Sequence, residues 1–105
     1  MGGIDFKVHQ PGTDLTTAFE EARQAAASWH GWREDSGTIA TKDTVTVVHE
    51  DTVSLAAAQA IATQLLGRFD EPYCDHFDTV AAAIPVADTA GGPRTSWLFF
   101  GVACD

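Results

Sequence analysis

Positive charge is scarce in this sequence: six Lys and Arg stand against fifteen Asp and Glu, a net balance of −9 over 105 residues. A polyanionic surface repels nucleic acid and anionic membrane, so direct binding to either is excluded on charge. Cysteine is equally sparse. Cys74 and Cys104 do not make the disulfide framework that small secreted domains need, and a reducing cytoplasm is the expected address. No run approaches the ~20 continuous apolar residues of a membrane span. The start, Met1-Gly2-Gly3-Ile4-Asp5, has neither the basic residues nor the apolar stretch of a secretory signal. Phe6 stands where a myristoylation pattern needs Ser or Thr. Also missing are a Gly-x-Ser-x-Gly elbow, a His-Glu-x-x-His pair and a phosphate-binding glycine loop, which removes the commonest catalytic signatures.

What is present is ordinary globular material. A hydrophobic share of 45% with 20% charged residues is too apolar for disorder, and the length suits one domain, residues 1–105, with a modest core. Ile4 to His9 alternates apolar and polar residues as a half-buried strand does. Pro11-Gly12 ends it, and Thr13 or Asp14 can cap a helix whose Leu15, Phe19, Ala22, Ala26 and Trp29 form one stripe. Gly37–Thr41 and Thr44–His49 are rich in β-branched residues and read as a hairpin across Lys42-Asp43. Ser54 caps a second helix, with Leu55, Ala58, Ala62, Leu65 and Phe69 on one face and Gly67 near its end. After an acidic irregular stretch come a strand over Val80–Ala87, whose Pro85 argues for an edge or a bulge, and a last strand over Ser96–Cys104.

The expected order is β-α-β-β-α-β-β: an α+β fold, a ferredoxin-like variant with two helices on one face of a mainly antiparallel sheet. The last strand sits awkwardly in that scheme. Trp97, Phe99, Gly101 and Ala103 point one way, while Leu98, Phe100, Val102 and Cys104 point the other, so both faces are apolar. With both helices on one side, the second face needs a cover: the chain's own loops and Trp side chains, or a homodimer or partner interface anchored by Trp97 and Phe99.

Several strings together resemble a known group. Gly12-Thr13-Asp14 leads into Ala18-Phe19 and Ala22, followed by Gly37-Thr38-Ile39-Ala40-Thr41-Lys42, Ala83-Ile84-Pro85-Val86 and Trp97-Leu98-Phe99-Phe100-Gly101. In that order they resemble small proteins of no established activity from actinobacteria and their bacteriophages. The chain departs from that pattern at Asp35-Ser36, where an aromatic-Thr pair is common, and at His76-Phe77-Asp78, where a Lys-Trp-Gly string is common. The resemblance implies a small intracellular accessory protein, phage-encoded in origin, and assigns no functional residue.

The residues themselves offer few reactive sets. Cys74-Asp75-His76 is the most ligand-like cluster, with His49-Glu50-Asp51 elsewhere. Zinc takes about four ligands, and the single residue between Cys74 and His76 is too short for a structural knuckle. A loop cysteine beside a solvated histidine is the plainer reading. A Cys74 thiolate would sit among Asp70, Glu71, Asp75 and Asp78, which disfavour another negative charge. Trp29-His30-Gly31-Trp32-Arg33 has the aromatics of a stacking platform but no basic groove. The adjacent carboxylates Glu20-Glu21, Glu34-Asp35 and Glu50-Asp51 point apart on any regular element and read as solvated surface.

Two functions from different classes follow. The first is a small, acidic, non-enzymatic interaction module without a cofactor or metal, binding a basic protein through Asp70, Glu71, Asp75 and Asp78, or a partner or second copy through Trp97 and Phe99. In its sharper form it occupies a basic nucleic-acid-binding surface of a host or rival protein. The second is a small-ligand or metal-dependent enzyme whose site gathers His49, Cys74 and His76. The sequence favours the first, because it contains a charge pattern and an apolar strand but no coherent reactive set.

Overall fold

The computed structural model describes residues 3–30, 38–68, 71–75 and 78–104. Its elements run β1 (Gly3–Pro11), α1 (Leu15–His30), a 3-10 turn (Ile39–Thr41), β2 (Thr44–Val47), α2 (Leu55–Leu66), a second 3-10 turn (Pro72–Cys74), β3 (Val80–Val86) and β4 (Ser96–Cys104). The four strands form one sheet in the order β1-β4-β3-β2. β4 is antiparallel to both its neighbours, β1 and β3, and β2 runs parallel to β3. No helix among the described residues is long and apolar enough to cross a membrane.

The α+β class stands, with a mainly antiparallel sheet, but three expectations need correction. First, of the expected hairpin strand Gly37–Thr41, Gly37 lies outside the described residues and Thr38–Thr41 forms a capped 3-10 turn. The Thr38 hydroxyl accepts from Ala40 N, Thr41 N donates to Thr38 O at 3.1 Å, and Lys42 N donates to Ile39 O at 2.9 Å. A side chain that bonds its own backbone offers the chain a turn in place of a ladder. The order is therefore β-α-β-α-β-β.

Second, the helices do not share a face. Phe19 and Ala22 of α1 pack with Phe6, Ala83, Trp97 and Phe99, whereas Ala58 and Ala62 of α2 pack with Ala82, Ile84, Leu98 and Phe100. Alternate residues of β3 and β4 thus feed two cores on opposite sides of the sheet. Chain handedness explains this. β1, β2 and β3 all point the same way; the chain crosses from β1 at one edge to β2 at the other, then returns one step to β3. Crossovers between parallel strands are right-handed, and two right-handed crossovers travelling in opposite directions must lie on opposite faces. The ferredoxin-like arrangement, with both helices on one face, is ruled out on this ground.

Third, Pro85 lies in an inner strand without a bulge. Its carbonyl accepts from Val53 N at 3.2 Å, so its nitrogen also faces the β2 side, and there β2 has already ended at the Val47–Ala83 pair. The missing N–H therefore costs no ladder bond.

The caps read from the sequence are the ones formed. Asp14 accepts from Thr17 N at 2.8 Å at the start of α1, and Ser54 accepts from Ala57 N at 3.2 Å at the start of α2. The bond from the Thr17 amide, helped by its hydroxyl and by nearby Arg94, holds the Asp14 carboxyl below its usual range. In the middle layer small residues lie beside large ones: Ala82 is paired with Phe100 and Ala83 with Phe99. Phe99 meets Phe19 edge-on at 5.6 Å and Phe100 meets Tyr73 at 5.5 Å. Gly101 faces the Phe6 ring, where an added Cβ would come within 3.1 Å of the ring and 3.0 Å of the Tyr73 carbonyl. Replacing Phe99, which is fully buried, by Ala should lower the free energy of unfolding by about 3–5 kcal/mol. Urea denaturation of Phe99→Ala checks it; a loss below about 1 kcal/mol would mean that the α1 core collapses around the gap.

Candidate functional site

The feature of the molecule that departs furthest from ordinary packing is Lys42, a lysine with 0% exposure. The 3-10 turn over Ile39–Thr41 buries Ile39 and Ala40 and delivers Lys42 inward at its end. Its ammonium donates to the carbonyl of Asp78 at 2.5 Å and of Asp75 at 3.3 Å, residues more than thirty positions away in sequence. The same junction is tied by Asp43 N and Thr44 N, which donate to Thr79 O at 2.9 and 3.1 Å. Burial lowers the Lys42 pKa from its ordinary 10.5, outweighing the opposing attraction of Asp78, Asp75 and Cys74. The amine is enclosed. Its bonds make it a clamp on the backbone at Asp75 and Asp78.

Asp75 is exposed, and Glu71 and Asp78 are half-buried. Asp78 Oδ1 accepts from Val80 N at 3.3 Å, capping the entry to β3. Glu71 precedes the second 3-10 turn and makes no side-chain cap bond there. Asp70, His76 and Phe77 lie outside the described residues. Beside Glu71 a groove of about 540 Å³ runs between β2 and the end of α2, lined by Thr46, Val48, Leu65, Arg68, Pro72, Tyr73 and Val80 as well as Glu71. Arg68, at the start of the acidic stretch, lines the same groove as Glu71.

Three of the described cations are engaged within the chain. Lys42 is interior. Arg23 pairs with Glu20 at 2.9 Å and lies over the Phe19 ring. Arg94 donates to Thr13 O at 2.8 Å and covers Trp97 with its guanidinium 4.8 Å from the ring centre.

The other sequence-derived candidates are scattered. Trp97 is 3% exposed and Phe99 0%. Both are enclosed beneath α1, so the uncovered second face that made them candidate interface anchors does not exist. His49 lies beyond the C-terminal end of β2, with Nδ1 2.8 Å from the carbonyl of Asp51. Cys74 lies ahead of the N-terminal end of β3, its thiol donating to Leu65 O at 3.3 Å. β2 and β3 are parallel and in register, which puts His49 and Cys74 at opposite ends of the sheet. Among the described residues no three His, Cys, Asp or Glu side chains converge as metal ligands would. Lys42 itself was legible in the sequence only as a link between two supposed strands. The signal was there in the Gly-Thr-Ile-Ala-x-Lys string, whose Thr38 builds the turn and whose lysine is the clamp.

The chain matches no protein-family model, no curated protein and no solved structure.

Lys42→Met should leave the carbonyls of Asp75 and Asp78 without their donor and destabilise the fold at neutral pH by about 1–3 kcal/mol, with faster amide exchange over residues 71–79. The pH dependence has a definite sign. The native pKa is depressed, so between that value and 10.5 the unfolded chain holds a proton that native Lys42 has released. The unfolding free energy of the parent should therefore rise through that window relative to Lys42→Met. Urea titrations of both proteins at matched alkaline pH measure the difference, and parallel curves would refute the depressed pKa.

Proposed function

We propose that this protein is a non-enzymatic interaction module that presents its acidic 71–78 segment to a basic protein partner. The observation that carries the reading is the Lys42 clamp. It holds the segment's backbone from inside through the carbonyls of Asp75 and Asp78, while Asp75 remains exposed. A pre-formed array of carboxylates binds with less ordering cost than a loose one. It also steers a basic partner on approach, because complementary charge acts chiefly on the association rate. Occupation of a nucleic-acid-binding surface on a host or rival protein is the sharper form of this proposal. A cytoplasmic address accompanies it, on the sparse cysteines, and a phage origin rests on the sequence resemblance. The enzyme alternative is disfavoured by the separation of His49 from Cys74.

A labelled arginine-rich peptide serves as the test partner, read by fluorescence anisotropy. Glu71→Gln with Asp75→Asn should weaken binding several-fold more than Glu50→Gln with Asp51→Asn, although both pairs remove the same charge. Affinity of the parent should also fall as salt rises from about 0.05 to about 0.5 M, as screening shortens the reach of exposed charges. Equal losses from the two pairs would show that only net charge matters and would sink the proposal. So would binding of labelled duplex DNA in place of the peptide.

A further inference from the structure

We infer that β1 is a self-pairing edge, and that two copies of this chain join their sheets through it, antiparallel, about a two-fold axis at Phe6. β1 is a nine-residue strand at the margin of the sheet, hydrogen-bonded to β4 on one side. Among the described residues none bonds its outer edge, which is a row of backbone donors and acceptors that seeks a partner. The opposite margin, β2, has four residues and offers far less. Among the described residues the exposed large apolar side chains, Ile4 at 45% and Val47 at 44%, both belong to these edge strands.

The occupant is identified by the order of side chains along β1. Phe6 and Val8 belong to the α1 face, and alternation puts Ile4 with them and Asp5, Lys7 and His9 on the α2 face. A two-fold axis normal to the sheet keeps each face continuous, so residues of like face stand opposite one another. With Phe6 on the axis, Ile4 of one copy meets Val8 of the other, and Asp5 meets Lys7 twice over by symmetry. Centring on Asp5 or on Lys7 instead sets like charges against each other, which is destabilising for directly opposed residues. A lysine on an edge strand ordinarily discourages pairing. Here Asp5, two residues away on the same face, turns that charge into a selector of one register. Lys7 is already held over the α2 face by its bond to Thr63 Oγ1 at 2.6 Å. Pro11, which has no N–H to give, falls beyond the paired stretch. A second copy thus fits this edge in shape and charge, without any contribution from the acidic 71–78 segment.

Sedimentation equilibrium of the full chain at physiological salt, where the repulsion between two acidic copies is screened, should show a concentration-dependent approach to twice the chain mass. Lys7→Asp sets Asp against Asp5 of the other copy, and Asp5→Lys sets Lys against Lys7; each variant alone should weaken self-association at least tenfold. The double exchange Asp5→Lys with Lys7→Asp should recover it. An equimolar mixture of the two single variants should form a heterodimer, since every opposed pair is then complementary. Circular dichroism and melting of each variant establish that it is folded. A parent that stays monomeric up to millimolar concentration overturns the inference. A dimer indifferent to both single exchanges also overturns it, because the contact then lies elsewhere.

Discussion

Burial of both faces of β4 is the constraint on which the rest of the structure depends. Leu98 and Phe100 on one side, and Trp97 and Phe99 on the other, are each at most 3% exposed. Fully burying a side chain of this size contributes about 1.5–3 kcal/mol, so a small domain cannot leave either face open. The strand must lie inside the sheet with a helix on each side, and the chain satisfies this by crossing over one face and returning over the other. The run of alanines in β3, Ala81 to Ala83, leaves room for the aromatic rings of β4 beside it. Helix caps, the 3-10 turns and the inner position of Pro85 are consequences of routing a short chain around that layer.

The same routing places Lys42 where it is. Lys42, just ahead of β2, meets the carbonyls of Asp75 and Asp78 ahead of β3. A buried ammonium is costly to desolvate unless its charge and protons are satisfied. Two carbonyls bond it and nearby carboxylates attract it, yet burial still lowers its pKa. The interior cation and the exposed Asp75 are thus joined through the backbone. The proposed self-pairing at β1 is separate from the proposed basic-partner surface: Asp5 and Lys7 have opposite signs along one face, whereas the charged side chains of residues 71–78 have one sign.

Much of the local architecture was legible before the fold was seen. Alternation located β1, the four-three spacing located α1 and α2, and Asp14 and Ser54 were readable as caps because capping is decided within a single turn of chain. The apolar strand at Ser96–Cys104 was also plain. Its meaning was not, since a two-sided apolar strand is equally what an inner strand and an interface strand look like. The misread hairpin has a similar cause: β-branched residues in Gly37–Thr41 signal a preference for extended backbone, and a hydroxyl at Thr38 overrode it.

The sequence by itself determined the number and capping of the helices, the four strands that form, the acidic balance and the scarcity of reactive side chains, because each of these is written in neighbouring residues. Tertiary structure alone decided which face each helix covers, that His49 and Cys74 stand at opposite ends of the sheet, and that Lys42 reaches Asp75 and Asp78. Those outcomes depend on strand order and crossover hand, which act between residues far apart in the chain and leave no periodicity in it.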